Sequence, residues 1–321
     1  MKRFLNNGVV SFVLRLGLSV GLLWFVLRGI QFKELVGLFK TADVIYIWYA
    51  FIPFVVIHGL LLVRWRIFIH ALGLNVPWIN MTRYFFLGLF GNLFLPTAIG
   101  GDVIKTVGLC GNAQEKPKVV ASVLLDRLSG FASMVVVACV AIVFGFRFLN
   151  NPLIWKMVLA MGAGLVFLGA VLFHEPLYRF CCQAFSLFPK VQTALMQMHY
   201  DIALLKDRKI AIVKAIGVSC VSQLLLAMTF FLLAKALRQD VPIFYFVIFT
   251  PITCVASSFP SVGGLGFREA GLEFLLGSVA AIMVADGIGV SVGLLDFFFM
   301  VVVGVAGWIF FVMTKNQGGA R

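Results

Sequence analysis

Asn92-Leu93-Phe94-Leu95-Pro96-Thr97-Ala98-Ile99-Gly100-Gly101-Asp102-Val103-Ile104-Lys105 is answered in the second half of the chain by Ser257-Ser258-Phe259-Pro260-Ser261-Val262-Gly263-Gly264-Leu265-Gly266-Phe267-Arg268-Glu269. Both stretches run from a polar residue through Phe and Pro to a Gly-Gly pair, then into charges that open an apolar segment. Proline ends a helix because it has no amide N–H and clashes with the preceding turn. Paired glycines let the backbone take positive φ or approach a neighbour closely. Broken backbone survives at membrane depth only where protein or a wet cavity satisfies it. Gly/Pro-interrupted apolar segments at matching places in two halves point to a transporter's binding site.

The surrounding chain is a membrane sequence. Of its 321 residues, 62% are hydrophobic and only 12% charged, against about 45–50% and about 25% in soluble proteins. No stretch is long and polar enough for a separate soluble catalytic domain, which weighs against most enzyme classes. The net charge of +13 sits in short loops between apolar runs, a pattern of cytoplasmic loops beside anionic lipid rather than of nucleic-acid binding. The six cysteines form no CxxC and the four histidines show no ligand spacing, so neither a disulfide framework nor a metal site is expected. The start, Met1-Lys2-Arg3, precedes an apolar run without a cleavage site and reads as an uncleaved first span.

Apolar segments at 9–27, 44–63, 119–146, 153–173, 210–234 and 290–313 are long enough to span. Arg64-Trp65-Arg66 reads as an interfacial anchor closing the second, followed by a linker over 67–78. Residues 80–95 with 103–110, and 243–259 with 264–281, are shorter and predict two helical hairpins folded at the Pro and Gly-Gly turns. Residues 187–205 repeat apolar side chains at helical spacing and predict an amphipathic surface helix. Placing Lys2/Arg3, Arg64/Arg66, Lys116/Lys118, the Lys206 cluster and Lys315 in the cytoplasm makes the hairpins enter from opposite faces. The expected fold is therefore an all-α polytopic membrane protein, an inverted repeat of about six spans plus two re-entrant hairpins, with both termini cytoplasmic. If the hairpin arms cross fully, the count becomes about ten with the same parity.

Charges at the bilayer centre cost roughly 2.5–3.5 kcal/mol each on insertion scales, so each needs a reason. Asp102 fits an N-cap, placing free N–H groups and a positive dipole end at the hairpin tip, with Lys105 one turn on. Contact with a lipid phosphate and a simple capped helix with a paired lysine are both open. Ser122, Asp126, Ser129 and Ser133 form one polar stripe, while Asp126 and Arg127 diverge by about 100° and need partners on other helices. Gly263, Gly264 and Gly266 suggest an anion-binding backbone nest, and Arg268 a bidentate phosphate clamp. Glu269 and Glu273 share a face, where like charges repel; Asp296 is a candidate partner for any of the basic residues. The expected lipid-binding set is Arg83, Asn92, Gly100, Gly101, Asp102, Lys105, Ser261, Gly263, Gly264, Gly266 and Arg268. Asp126, Arg127, Glu269, Glu273 and Asp296 are expected to gate or couple. The glycine turns are not nucleotide loops: GxxxxGK[ST] is absent, and so is the strand that a dinucleotide site needs. Gly88 and Gly91 read as helix-packing positions.

At Gly91–Pro96, Gly100–Asp102, Ala121–Gly130 and Pro260–Glu269 the chain resembles the lysylphosphatidylglycerol synthase transmembrane family, the flippase-like region of multiple peptide resistance factors and their stand-alone relatives. The four motifs, in order, cover nearly the whole chain. The resemblance implies an inner-membrane protein that translocates lipids: an anionic phospholipid, or a hopanoid, glycolipid or isoprenoid-linked lipid. It carries no implied cofactor. Family members often have Arg where Lys105 stands. The soluble aminoacyl-transferase domain of the full-length enzymes does not follow, so lysyl transfer is not expected. Expected partners are membrane lipids, a lipid-biosynthetic enzyme and other copies of the chain. A membrane transferase using Asp126 and Glu269 as acid and base, or a non-catalytic partner of a lipid synthase, are the rival readings.

Overall fold

The computed structural model describes residues 32–94, 100–110, 116–145, 151–176, 178, 208–258, 264–280 and 284–315. The first apolar segment, the amphipathic stretch of 187–205 and both Pro-bearing tips, with Ser261 and Gly263, lie outside them. The regular elements described are all helical: α1 (Phe32–Lys40), α2 (Val44–Ala71), α3 (Trp78–Phe94), α4 (Gly100–Cys110), α5 (Lys116–Gly145) and α6 (Pro152–Phe173) in the first part, then α7 (Lys209–Ala236), α8 (Ile243–Ala256), α9 (Phe267–Glu273, continuing as a π-helix over Phe274–Val279) and α10 (Ile288–Lys315). Five of these, α2, α5, α6, α7 and α10, are long and apolar enough to cross a membrane. The protein is an all-α, multi-pass membrane protein.

Local chemistry sets the helix ends. Asp43 and Asn151 cap α2 and α6 by accepting the amides of Ile45 and Leu153. Pro152 occupies the first turn of α6, where its missing N–H costs nothing. The outer faces stay apolar: Val44, Trp48, Ile52 and Val55 on α2, and Leu159, Val166 and Phe167 on α6, are exposed. In a soluble protein such patches would be a liability; on a bilayer protein they face acyl chains.

Two corrections follow. The second span does not stop at 63. It runs on to Ala71, and Arg64 and Trp65 are buried inside the protein, only 8% and 1% exposed. The helix continues because the charge of Arg64 is matched by a carboxylate on another helix. Arg66 alone keeps the interfacial role, stacked 4.3 Å over the Trp78 ring. Residues 32–40, in the short connection between the first two expected spans, form α1.

The packing is reciprocal. α2 and α7 lie together along their lengths; α5, the long helix that closes the first Gly/Pro-interrupted segment, packs on α8, while α10, which closes the second, packs on α3. Each long closing helix therefore leans on the leading arm of the other part's Gly/Pro-interrupted segment. Small residues permit the closest approaches. A Cβ on Gly88 would lie 2.7 Å from the Gly101 carbonyl oxygen, and one on Gly304 would lie 2.7 Å from Leu93. We therefore expect Gly88→Ala and Gly101→Ala to lower stability by about 1–3 kcal/mol, the usual cost of overpacking. Gly59→Ala, with nothing within 4 Å of its new methyl, serves as control. Thermal unfolding of the purified protein in detergent, followed by fluorescence, distinguishes them.

Candidate functional site

The intramembrane charges gather in two clusters, one per part. In the first, Arg64 on α2 grips Asp126 on α5 with two hydrogen bonds, Nε to Oδ1 at 2.6 Å and Nη2 to Oδ2 at 2.9 Å. Its Nη1 donates to the Ser219 hydroxyl on α7 at 3.1 Å. One guanidinium thereby ties three helices, and Gly130 leaves the room for it: a Cβ there would lie 2.9 Å from Nη1. A turn along, the Trp65 indole donates to Ser122 Oγ at 3.2 Å. The Ser122–Asp126–Ser129–Ser133 stripe is buried throughout.

Arg127 points the other way, as its angular offset from Asp126 requires, and its Nε donates to Asp102 Oδ2 on α4. Lys105 Nζ lies 3.4 Å from the other oxygen of Asp102, and 4.6 Å from the Phe85 ring centroid and 5.6 Å from that of Trp65. Asp102 thus accepts from two cations instead of capping its own helix. The helix starts earlier than expected, at Gly100, and its Gly101 N–H donates to Asn92 Oδ1 on α3 at 2.7 Å, which pins the trailing arm to the leading one. Gly100 is buried at the helix start. Arg83 stands apart from this cluster. Its Nη2 donates to the Thr314 carbonyl near the end of α10, completing a helix terminus.

In the second cluster Arg268 is the hub. Nε and Nη2 both donate to Glu269 Oε1, at 3.3 and 2.9 Å; Nη2 also reaches the Gly293 carbonyl at 3.0 Å; Nη1 reaches Asp296 Oδ2 and Met300 Sδ. All five N–H groups of the guanidinium are engaged by the chain, so a phosphate clamp here requires the cluster to open. Gly264 and Gly266 do take positive φ, +79° and +92°. The Gly266 amide, however, donates to Glu269 Oε2 at 2.6 Å, so the chain supplies its own anion to that nest. Glu269 and Glu273 diverge rather than face each other. Glu273 accepts the amides of Gly287, Gly289 and Val290 at the start of α10, where a helix N-terminus favours a carboxylate.

Ser219 and Met300 join these clusters without having been picked out from the sequence, and Arg64 and Trp65 join them after being read as an interfacial anchor. Ser219, Ser222 and Gln223 on an otherwise apolar helix were the readable signal for Arg64. Gly289, Gly293, Asp296 and Met300, spaced i, i+4, i+7, i+11, were the corresponding stripe on α10.

With this arrangement in view, the family is decided by a match to the model of the lysylphosphatidylglycerol synthase TM region across residues 12–307. The chain belongs to that family. No curated protein and no solved structure matches it. The matched region takes in both clusters and both glycine turns, so the charge pairs lie within the family's own domain rather than in an appendage.

Removing one member of a buried pair strands the other, which costs about 3–5 kcal/mol. Arg64→Ala and Asp126→Ala are each expected to destabilise by that amount. Arg64→Met with Asp126→Leu should cost less than either alone, and Arg64→Lys should not restore the bidentate pair. Detergent-dependent thermal unfolding of the four variants checks the order.

Proposed function

We propose that this protein moves an anionic lipid between the leaflets of the bacterial or archaeal inner membrane. In this reading it has six full spans, two hairpins that enter from opposite faces, and cytoplasmic termini. The observation that carries the reading is reciprocal: each part has a buried charge cluster beside its glycine turn, and each part's closing helix rests on the other part's hairpin. Movement of one repeat against the other then shifts both clusters together, as alternating access requires. Family membership supports a lipid as the cargo.

The headgroup site is assigned to the first cluster. Lys105 and Arg127 converge on Asp102, and the Arg127 side chain is half exposed, so the cluster reaches the protein surface. An anionic headgroup competes with Asp102 for these cations by charge-assisted hydrogen bonds. Asn92, Gly100 and Gly101 hold the turn that presents them, and Ser261, Gly263, Gly264 and Gly266 play that part in the second repeat. The cargo is an anionic phospholipid, or a polyprenyl-phosphate or hopanoid-type lipid of like charge. The transferase alternative fits the geometry less well, because Asp126 has both oxygens held by Arg64 and no free acid or base function.

The test is a leaflet-sidedness assay with a fluorescent anionic phospholipid in liposomes containing the purified protein. Lys105→Ala and Arg127→Ala are expected to slow movement by about tenfold or more, the value of a lost charge-assisted hydrogen bond. Arg66→Ala, outside both clusters, should leave it unchanged. Equal rates in all four proteins, at equal reconstitution, contradict the reading.

A further inference from the structure

The second cluster contains two carboxylates and one cation, and its bonds are unequally shared. Glu269, fully buried, accepts two hydrogen bonds from Arg268 and one from the Gly266 amide, the surroundings of an ionised carboxylate. Asp296, 3% exposed, receives Arg268 on Oδ2, while its Oδ1 is fully buried and has no hydrogen-bond partner among the described residues. Arg268 has no N–H left to give it. Were both carboxylates ionised, the cluster would hold a net negative charge in the hydrocarbon zone with an anionic oxygen facing nothing, the most costly arrangement available. A proton on Oδ1 removes that charge and leaves a neutral hydroxyl, a far smaller penalty.

We propose that Asp296 Oδ1 is an exchangeable proton-binding site, with Arg268 and Glu269 as its fixed counter-charges. A proton taken from water adds to Oδ1 and is returned to water when the cluster opens; no other bond changes. This rests on the lipid-translocation reading for its purpose: it makes the proton the ion coupled to lipid movement. The groups within electrostatic reach of Asp296 are Arg268 and Glu269 on α9 and the Cys254 thiol on α8. On the other elements packed against α10, Glu273 holds the Gly287, Gly289 and Val290 amides, His58 bonds to the Phe54 carbonyl, Arg66 stacks over Trp78, and Lys209 and Lys214 are exposed. Arg64 is held by Asp126, Arg83 by Thr314 and Lys235 by Asp240, and Lys40 is exposed at the end of α1. A metal cation is disfavoured at Oδ1 because the neighbouring guanidinium repels it and no group of three His, Cys, Asp or Glu side chains able to hold one forms among the described residues.

Infrared spectroscopy of the purified full chain in lipid nanodiscs reads the proton directly. At neutral pH the wild type should show the C=O stretching band of a protonated carboxylic acid, shifted in D2O. Asp296→Asn should lose it, Asp296→Glu should move it, and Asp126→Asn should keep it unchanged. No such band in the wild type, or an unaltered band in Asp296→Asn, overturns the proposal. In liposomes, lipid movement should respond to an imposed pH gradient in the wild type and lose that response in Asp296→Asn. Movement that follows a sodium gradient and ignores the proton gradient also overturns it. The two readings separate: wild-type lipid movement without the band refutes the proton site alone, whereas the band without any lipid movement refutes the transport reading alone.

Discussion

A charge inside the hydrocarbon layer has to find its opposite on another helix, and that requirement organises this protein. Arg64 and Asp126 lie 62 residues apart in sequence yet meet in a two-pronged bond that also reaches a third helix. Asp102 with Arg127, and Arg268 with Asp296, do the same between a short arm and a closing helix. Hydrophobic burial cannot select these contacts, since lipid tails are as apolar as leucine; close packing and polar pairing must. Glycines supply the first and charge pairs the second, and in both parts they occur together.

The two clusters differ in make-up, and the proposed reading gives them different work. In each, a carboxylate and an arginine face each other across the junction of short arm and closing helix, but the polarity is exchanged: the acid is on the short arm in the first part and on the closing helix in the second. The first cluster is rich in cations and touches the surface through Arg127. The second is rich in carboxylates, fully enclosed, and centred on one saturated guanidinium. An anion-handling site paired with a proton-handling site is the division of labour that these inventories support.

Much of this was legible before any coordinates. Composition settled the membrane class, and the duplicated Pro/Gly-Gly stretch located both short-armed segments. The 100° offset between Asp126 and Arg127 required separate partners, and they have them: Arg64 and Asp102. Arg64 itself was misread because a basic-aromatic triplet at a span's end has the composition of an interfacial anchor; only its distant partner distinguishes the two. Asp102 looked like a cap because it follows Gly-Gly, but the helix already starts at Gly100, and the amide at that start, of Gly101, donates to Asn92 on a different helix. The nest at Gly266 was likewise closed by Glu269, three residues on. In each case a local pattern named the right residue and a non-local contact decided its use.

The opposed insertion of the two hairpins is the premise beneath everything functional, and side-selective cysteine labelling tests it most directly. Asn75, before the first hairpin, and Asp240, before the second, are both exposed. In sealed, oriented vesicles of a variant lacking the native cysteines, Asn75→Cys and Asp240→Cys should react with a membrane-impermeant maleimide from opposite faces. Reaction of both from the same face would mean the two parts are not inverted copies, and the alternating-access reading would fall.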